Sequence, residues 1–532
     1  MFHLVFDSKI EGHSLSGALN HKKRTDGAGI SVQITVYREL FLIPMEEDVV
    51  NVRMIKANNR DNKLVIRVFN YLVIFYIDSQ PTHYQDVNDN FVGGMPKIRF
   101  EVIKQGAVMK PVAVKILTVV VALSVPMAAM ATNGYFSHGI GMKSMGMGGV
   151  GIAMAQDSLA SATNPAVAAL VGNRIDFGLN LFVPNRESKI SGNAFPSVDG
   201  TYDGNETSMF LIPELGYNRD LGNDMAFAMT VVGRGGMNSD YDKSIGLFGS
   251  SKPGIDLAQL YISPTFAMKL NQDHSVGITL NAIYQRFKAD GLENFANAPP
   301  AGPSVDPTNV TGNGYSSSTG FNIGLGWVGK VSPIVTMGAM YTSKADMSEF
   351  DEYAGLFAEQ GDFDIPATLG LGIAVDVSPD VMVVFDVVKI YYSDVAAINN
   401  PLSNLGAGGL GTGGGAGFGW EDMTVYKLGM SWNYQSDWVL RIGWNHGEQP
   451  IPSSETLFNI LAPGVVEDHL TFGATWTLTN NAELTLMYMH ALENEIKGSG
   501  SIFPGTPPGM GGGEADIKMS QNALGIAYGW DL

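Results

Sequence analysis

From Arg174 onward the chain alternates between two kinds of segment, with a regularity that few folds can satisfy. Fourteen stretches of roughly 10–15 residues read as β-strands, with no sustained helical period across them. They begin with Arg174–Val183, Thr207–Arg219 and Asp224–Arg234, and end with Ala482–Glu495 and Asp516–Asp531. Strands in soluble domains average about 5–6 residues, whereas a strand that crosses a bilayer needs about 9–11. The connections alternate too. Those after even-numbered strands are tight and rich in turn formers, such as Asp220–Asn223, Asn271–His274 and Tyr434–Ser436. Those after odd-numbered strands are long, such as Pro184–Glu206, Asp290–Tyr315 and Ala396–Trp420. Short turns on one side and long loops on the other are the rule for outer-membrane barrels. A soluble sandwich imposes no such asymmetry. An even strand count puts both ends of the barrel on the periplasmic side.

The period inside the strands agrees. In the tenth, Thr424, Tyr426, Leu428, Met430 and Trp432 share one face, while Lys427 and Ser431 take the other. In the last, Leu524, Ile526, Tyr528, Trp530 and Leu532 continue one apolar face. Apolar-out, polar-in alternation is what a lipid-facing wall requires. The predicted fold is therefore an all-β membrane protein, a 14-stranded antiparallel outer-membrane barrel over 173–532.

Composition narrows the chemistry. Only 16% of the 532 residues are charged, against about 25% in soluble domains. There are 64 Gly and no Cys, which excludes disulfides and thiolate metal sites. The net charge of −19 is uneven: of 33 basic and 52 acidic residues, 18 and 40 fall after residue 131. Such an acidic surface repels phosphate backbones, so no nucleic-acid partner is expected. His138, His274, His446, His469 and His490 show no ligand spacing, and neither metal nor cofactor is expected. No nucleophile elbow accompanies Ser144, His138 and Asp157, so the chain is read as a non-enzyme rather than an outer-membrane hydrolase.

Ahead of the strands the chain changes character twice. Residues 1–108 lack the Gly content and alternation of the rest and are read as an upstream segment outside the mature protein. Within them, Lys63–Asp78 is apolar but too short for a membrane helix. Residues 109–131 carry a signal-peptide pattern: Met109-Lys110 and Lys115, the apolar Ile116–Met127, and the cleavage triplet Ala129-Met130-Ala131. Maturation is expected at Thr132.

Residues 132–172 are rich in Gly, Ala and Met and nearly uncharged. They are too polar for a membrane helix, and their small residues suit packing inside a wall. Gly146–Gly151 matches the dinucleotide pattern GxGxxG, but without a preceding strand and following helix it is read as close packing. The segment contains Asn133-Gly134-Tyr135, the run Gly146–Gly149, Gln156-Asp157 and Asn164-Pro165-Ala166. In these residues it resembles the N-terminal plug, or hatch, of the FadL-type outer-membrane transporters of long-chain fatty acids and other hydrophobic compounds. The resemblance extends over Met109–Leu532. It implies a hatch inside the lumen, with Asn164, Pro165 and Ala166 forming a turn near the transport path.

Two groups are candidates for ligand binding. Phe350, Tyr353 and Phe357 recur at helical spacing in an otherwise acidic external loop. They read either as a cap on the rim or as a greasy surface groove, which the family implies for external loops. Arg286 and Lys288 share one parity near the external end of the fifth strand, and Lys389 lies in the ninth. In a lumen short of basic residues, each is a candidate for a carboxylate head group, or simply a rim charge.

The expected function is passive uptake of hydrophobic molecules, foremost long-chain fatty acids, across the outer membrane of a Gram-negative bacterium. The expected surroundings are outer-membrane lipid and lipopolysaccharide, and the expected state is a monomer. Aromatic hydrocarbon uptake by the same fold is the first alternative. A general diffusion porin and a structural or adhesive barrel are others, though a porin needs no hatch.

Overall fold

The computed structural model describes residues 133–299, 302–406, 409–478, 482–504 and 510–532, and the backbone of four strands between residues 52 and 104. Those four, Val52–Met54, Lys63–Val68, Tyr71–Asp78 and Lys97–Lys104, pair antiparallel in chain order. The stretch read as apolar but too short to span thus forms two of them. The signal-peptide pattern and Thr132 lie outside the described residues.

The barrel begins where alternation begins. In the first strand, Arg174–Ser191, even-numbered residues are buried and odd-numbered ones are half-buried or, like Phe177 and Leu181, exposed. Among the described residues, fourteen long strands pair in antiparallel sequence order. The last, Glu514–Asp531, returns to pair with the first along its whole length and closes the ring. Outward side chains form an apolar band: Phe321, Leu325, Leu371, Leu470, Leu524 and Ile526 are all more than 40% exposed, which only lipid contact makes favourable. Tight turns join the even strands to the odd ones. Asn223 and Asp224, between Phe210–Gly222 and Met225–Asp240, both hold positive φ, as the favoured hairpin turns require.

Several strands outrun their predicted ends. The first continues from Val183 to Ser191 and the third from Arg234 to Asp240. Part of the expected loop Pro184–Glu206 is therefore strand, and its Gly200–Asp203 pairs back onto Glu187–Ile190. Beyond the bilayer the outward residues turn polar, as with Asn185, Glu187 and Lys189. The alternation fades although the ladder persists. Other strands are shorter than the alternation predicts: the seventh, read from sequence as Ile334–Asp346, is Val335–Thr342, and the ninth, read as Asp380–Val395, is Val381–Ile390.

One seam is incomplete. The second strand pairs with the third only between Glu214–Gly222 and Met225–Val232. Above that point Phe210–Ile212 pairs only with the first strand, and the third strand carries a register shift between Gly233 and Gly235. The extra residue is Arg234.

Candidate functional site

Residues 133–172 pack against the inward faces of the strands, and three inward carboxylates hold their backbone. Glu214 accepts from the amides of Gly141 (3.0 Å) and Met142 (3.1 Å). Asp386 accepts from Gly151 (2.8 Å) and Ile152 (3.1 Å). Asp176 accepts from the amide and hydroxyl of Ser158, at 2.9 and 2.6 Å. Close approach needs glycine on both sides. Gly149 has φ +76 and sits on the His138 carbonyl, and a Cβ at Gly277 of the fifth strand would collide with the backbone of Pro165.

Asn164, Pro165 and Ala166 form one of these contacts. Asn164 caps the short 3-10 turn Pro165–Val167, accepting from the Ala166 amide at 3.1 Å. Its Nδ2 donates to the carbonyls of Ile152 (2.6 Å) and Trp327 (3.0 Å), tying the segment to itself and to the wall. The proline starts the turn because its missing amide needs no partner there.

At the same end as the long loops lies an aromatic chamber. Phe287, inward on the fifth strand, His274–Asp290, is surrounded by Phe350, Tyr353 and Phe357, with ring centroids 5.7, 4.9 and 4.7 Å away. The loop is not the continuous amphipathic helix that its spacing predicts. Asp351–Tyr353 is a 3-10 turn, and Glu359 and Gln360 adopt left-handed φ of 55° and 62°. Nor is the stripe exposed: all three rings are buried, because Phe287 and Phe363 offer them aromatic partners. The Tyr353 hydroxyl donates to the Gly314 carbonyl at 2.6 Å. Beside these rings lies a cavity of about 40 Å³ lined by Phe287, Phe295, Phe357, Leu410, Phe418 and Phe458. In the same loop, burial and then the neighbouring Asp364 carboxylate push Asp362 up to about 7.

Aromatic rings continue inward from the chamber. Phe357 meets Phe363 at 4.9 Å, Phe363 meets Tyr135 at 6.2 Å, and Tyr135 stacks on Phe136 at 4.8 Å. Tyr392 donates to the Asn133 carbonyl at 2.6 Å and packs edge-on against Trp420. Phe136 in turn lines a second cavity, about 60 Å³, with Ile140, Val425, Asp386, Arg234 and Lys427. Tyr135 thus stands between the two spaces.

Two cations face this inner cavity. The Lys427 ammonium donates to the carbonyls of His138 (2.9 Å) and Gly149 (3.2 Å). The Arg234 guanidinium stands 5.4 Å from the centre of the Tyr261 ring. Among the described residues neither has a carboxylate within 4.0 Å. Both are half-buried, and Asp386, opposite Lys427 on the neighbouring strand, spends its carboxylate on backbone amides, so both positions suit an incoming anion.

Arg286, Lys288 and Lys389 lie elsewhere. On the fifth strand the inward parity belongs to Gln285, Phe287 and Ala289, so Arg286 and Lys288 face outward. They pair with Asp256 (3.4 Å) and Asp290 (2.8 Å). Lys389 also faces outward and pairs with Asp422 at 3.5 Å. Their parity turns all three away from the lumen, the rim position that is the other reading of each. Lys427 was legible, since its parity opposes Tyr426 and Leu428. Arg234 was not, because the register shift breaks the count of two at that residue.

The closed fourteen-strand ring and its apolar outer band define an outer-membrane barrel of the transport type. The chain belongs to the outer membrane protein transport protein family (OMPP1/FadL/TodX), whose model matches residues 118–528. It is accordingly an outer-membrane transporter of hydrophobic compounds, in a family of transport channels rather than enzymes. Its fold is similar to the Pseudomonas putida toluene transporter TodX, with TM-score 0.54 and 18% identity over 74% of this chain and 99% of that one. It is also similar to a Pseudomonas aeruginosa FadL homologue, with TM-score 0.57 and 16% identity over 75% and 99%. The Ralstonia pickettii toluene transporter TbuX gives 0.52 and 18% over 74% and 99%. No curated protein matches the chain by sequence.

Proposed function

We propose that this transporter takes up long-chain fatty acids, and that Arg234 and Lys427 hold the carboxylate. The observation that carries the reading is two half-buried cations, without carboxylate partners within ion-pair distance among the described residues, on a cavity whose one carboxylate, Asp386, is taken up by the amides of Gly151 and Ile152. The part of the chain after residue 131 has 18 basic against 40 acidic residues, so its net field opposes an anion. A local cation offsets that field. A hydrogen bond to a charged group contributes about 1.5–3 kcal/mol, or roughly tenfold to hundredfold in affinity.

The route follows from the order of spaces. The acyl chain enters among Phe350, Tyr353, Phe357 and Phe287, where apolar burial is worth about 25 cal/mol per Å². Tyr135 and Phe136 then yield, and the head reaches Arg234 and Lys427. Both cavities are far smaller than an acyl chain, so the ligand passes by displacing side chains rather than filling a void. Exit lies through the unpaired seam between the second and third strands, at Arg234 itself. Asn164, Pro165 and Ala166 anchor the hatch beside this path. Each step is a weak binding event, and no energy source is required.

Aromatic hydrocarbon uptake is the second reading. The outer chamber is lined chiefly by aromatic rings and Leu and no cation lines it, and two structural neighbours are toluene transporters. Calorimetric titration of the purified protein with oleate, oleyl alcohol and toluene separates the readings. Fatty-acid transport predicts that oleate binds at least about tenfold more tightly than the alcohol. Toluene binding with no preference for oleate over its alcohol would transfer the assignment to hydrocarbons.

A further inference from the structure

A third cavity, much larger than the two in the lumen, lies outside it. It is a groove of about 540 Å³ on the outer face, over the external ends of the third, fourth and fifth strands and the entry to the second. None of the transport steps above uses it. Its position is set by the alternation. Outward residues of the fifth strand run Ile278, Leu280, Ala282, Tyr284 and then Arg286, Lys288, Asp290. The groove therefore straddles the boundary between the hydrocarbon layer and the head groups on the external side. Its apolar lip is Met209 and Leu211, 71% and 44% exposed.

Its polar wall gathers Lys252, Arg286 and Lys288, three of the 18 basic residues that follow residue 131. Tyr315 lies beneath two of them: the Arg286 guanidinium is 4.5 Å and the Lys288 ammonium 5.8 Å from its ring centre. Each cation has a carboxylate beside it, Glu206 at 2.5 Å for Lys252, Asp256 at 3.4 Å for Arg286 and Asp290 at 2.8 Å for Lys288. Pairs as exposed as Lys252–Glu206 and Lys288–Asp290 are screened by water and contribute little to stability. Exchanging such a partner for a doubly charged phosphate is therefore easy. The displaced carboxylates, with Asn238 and Asp240, become acceptors for hydroxyl groups.

We infer that this groove binds the phosphorylated saccharide head of an outer-leaflet glycolipid, with its acyl chains descending past Met209 and Leu211. The volume lies within the ~300–1,000 Å³ of ligand sites, much more than a phosphate ion fills. The mixture of cations and acceptors suits a sugar phosphate better than a phosphate diester alone. The outer leaflet that this face meets is lipopolysaccharide. A lipid held there would also sit at the mouth of the incomplete seam.

The test uses the full chain in detergent and native mass spectrometry. The probes are bisphosphorylated lipid A, dephosphorylated lipid A, phosphatidylglycerol, inorganic phosphate and oleate. The parent is expected to retain bisphosphorylated lipid A in preference to all the other phosphate-bearing or dephosphorylated probes. R286Q/K288Q is expected to lose about tenfold in that affinity. K389Q makes the same kind of charge change on the ninth strand, outside the groove, and is expected to bind like the parent. Oleate binding is expected to be unchanged in R286Q/K288Q, which separates this site from the lumenal one. Equal lipid A binding by parent and R286Q/K288Q would overturn the inference. So would equal retention of the dephosphorylated form or of phosphatidylglycerol, competition by millimolar phosphate, or a loss confined to oleate. If R286Q/K288Q fails to show the heat-modifiable mobility of a folded barrel, Lys252→Gln, at an exposed position, carries the same comparison.

Discussion

Phe136 forms an antiparallel bridge with Gly235, on the edge of the third strand that the second strand leaves unpaired. The Ser137 amide donates to the Arg234 carbonyl at 3.0 Å, and the Gly236 amide donates to the Tyr135 carbonyl at 2.9 Å. The N-terminal segment thus completes the ladder where the wall does not. An unpaired strand edge inside a membrane is unfavourable, since nothing there satisfies its amides and carbonyls.

That pairing gives a reversible test of the exit route. The chain has no natural Cys, so Phe136→Cys with Gly235→Cys introduces a single possible disulfide. Directly opposed residues in a ladder lie within disulfide reach. Oxidised, the pair is expected to abolish uptake of a fluorescent fatty acid into outer-membrane vesicles, and reduction to restore it. Uptake indifferent to oxidation would mean that this contact does not gate passage.

The Glu214 carboxylate is the second fastening. Glu214→Ala leaves the amides of Gly141 and Met142 without their acceptor, at a cost of about 1–3 kcal/mol for each buried donor left unsatisfied. The variant is expected to conduct small ions more strongly in planar bilayers and to become cleavable by trypsin at Lys143, which is buried in the parent. Parental conductance with Lys143 still protected would show that the other anchors suffice.

The barrel was legible because its period is two and its loop lengths alternate, both of which survive in a single sequence. The limits of legibility have physical causes. The apolar alternation ends the first strand at Val183, because the outward Asn185, Glu187 and Lys189 beyond it are polar outside the bilayer. The stripe Phe350, Tyr353 and Phe357 was found, but its burial was not, since Phe287 comes from a distant strand. Arg286 and Lys288 were seen as cations, yet only the register with Phe287 tells which way they face. Arg234 was hidden by one inserted residue.

Removing the outer chamber should weaken capture without unfolding the wall. Phe350→Ser with Phe357→Ser deletes two of the three loop rings around Phe287. Truncating one buried Phe costs about 3–5 kcal/mol locally. The ladder hydrogen bonds of the strands do not depend on these rings. The expected outcome is at least tenfold weaker binding of an apolar fluorescent probe, with heat-modifiable gel mobility intact. Unchanged affinity would reduce this loop to a cover.

The same loop should respond to pH through Asp362. Its folded pKa, about 7, lies above the ordinary carboxylate value near 3.9, so the folded loop binds the extra proton between those values. Stability conferred by the protonated form is present at low pH and declines as pH rises towards 7. Hydrogen exchange of the amides in residues 347–362 is expected to accelerate between pH 5 and 7 beyond the intrinsic rate increase. Asp362→Asn should remove the extra acceleration. A parent and variant with the same profile would exclude this carboxyl as the cause.

The most direct test concerns the charge at the inner cavity. Arg234→Met and Lys427→Met keep much of the side-chain length and remove the cations, singly and together. Oleate and oleyl alcohol differ only in the head group, so their affinities measured side by side isolate it. Each single variant is expected to lose about tenfold to hundredfold for oleate and the double variant more, with affinity for the alcohol within about threefold of the parent. Oleate binding that survives in the double variant at the parental level would contradict carboxylate recognition by Arg234 and Lys427.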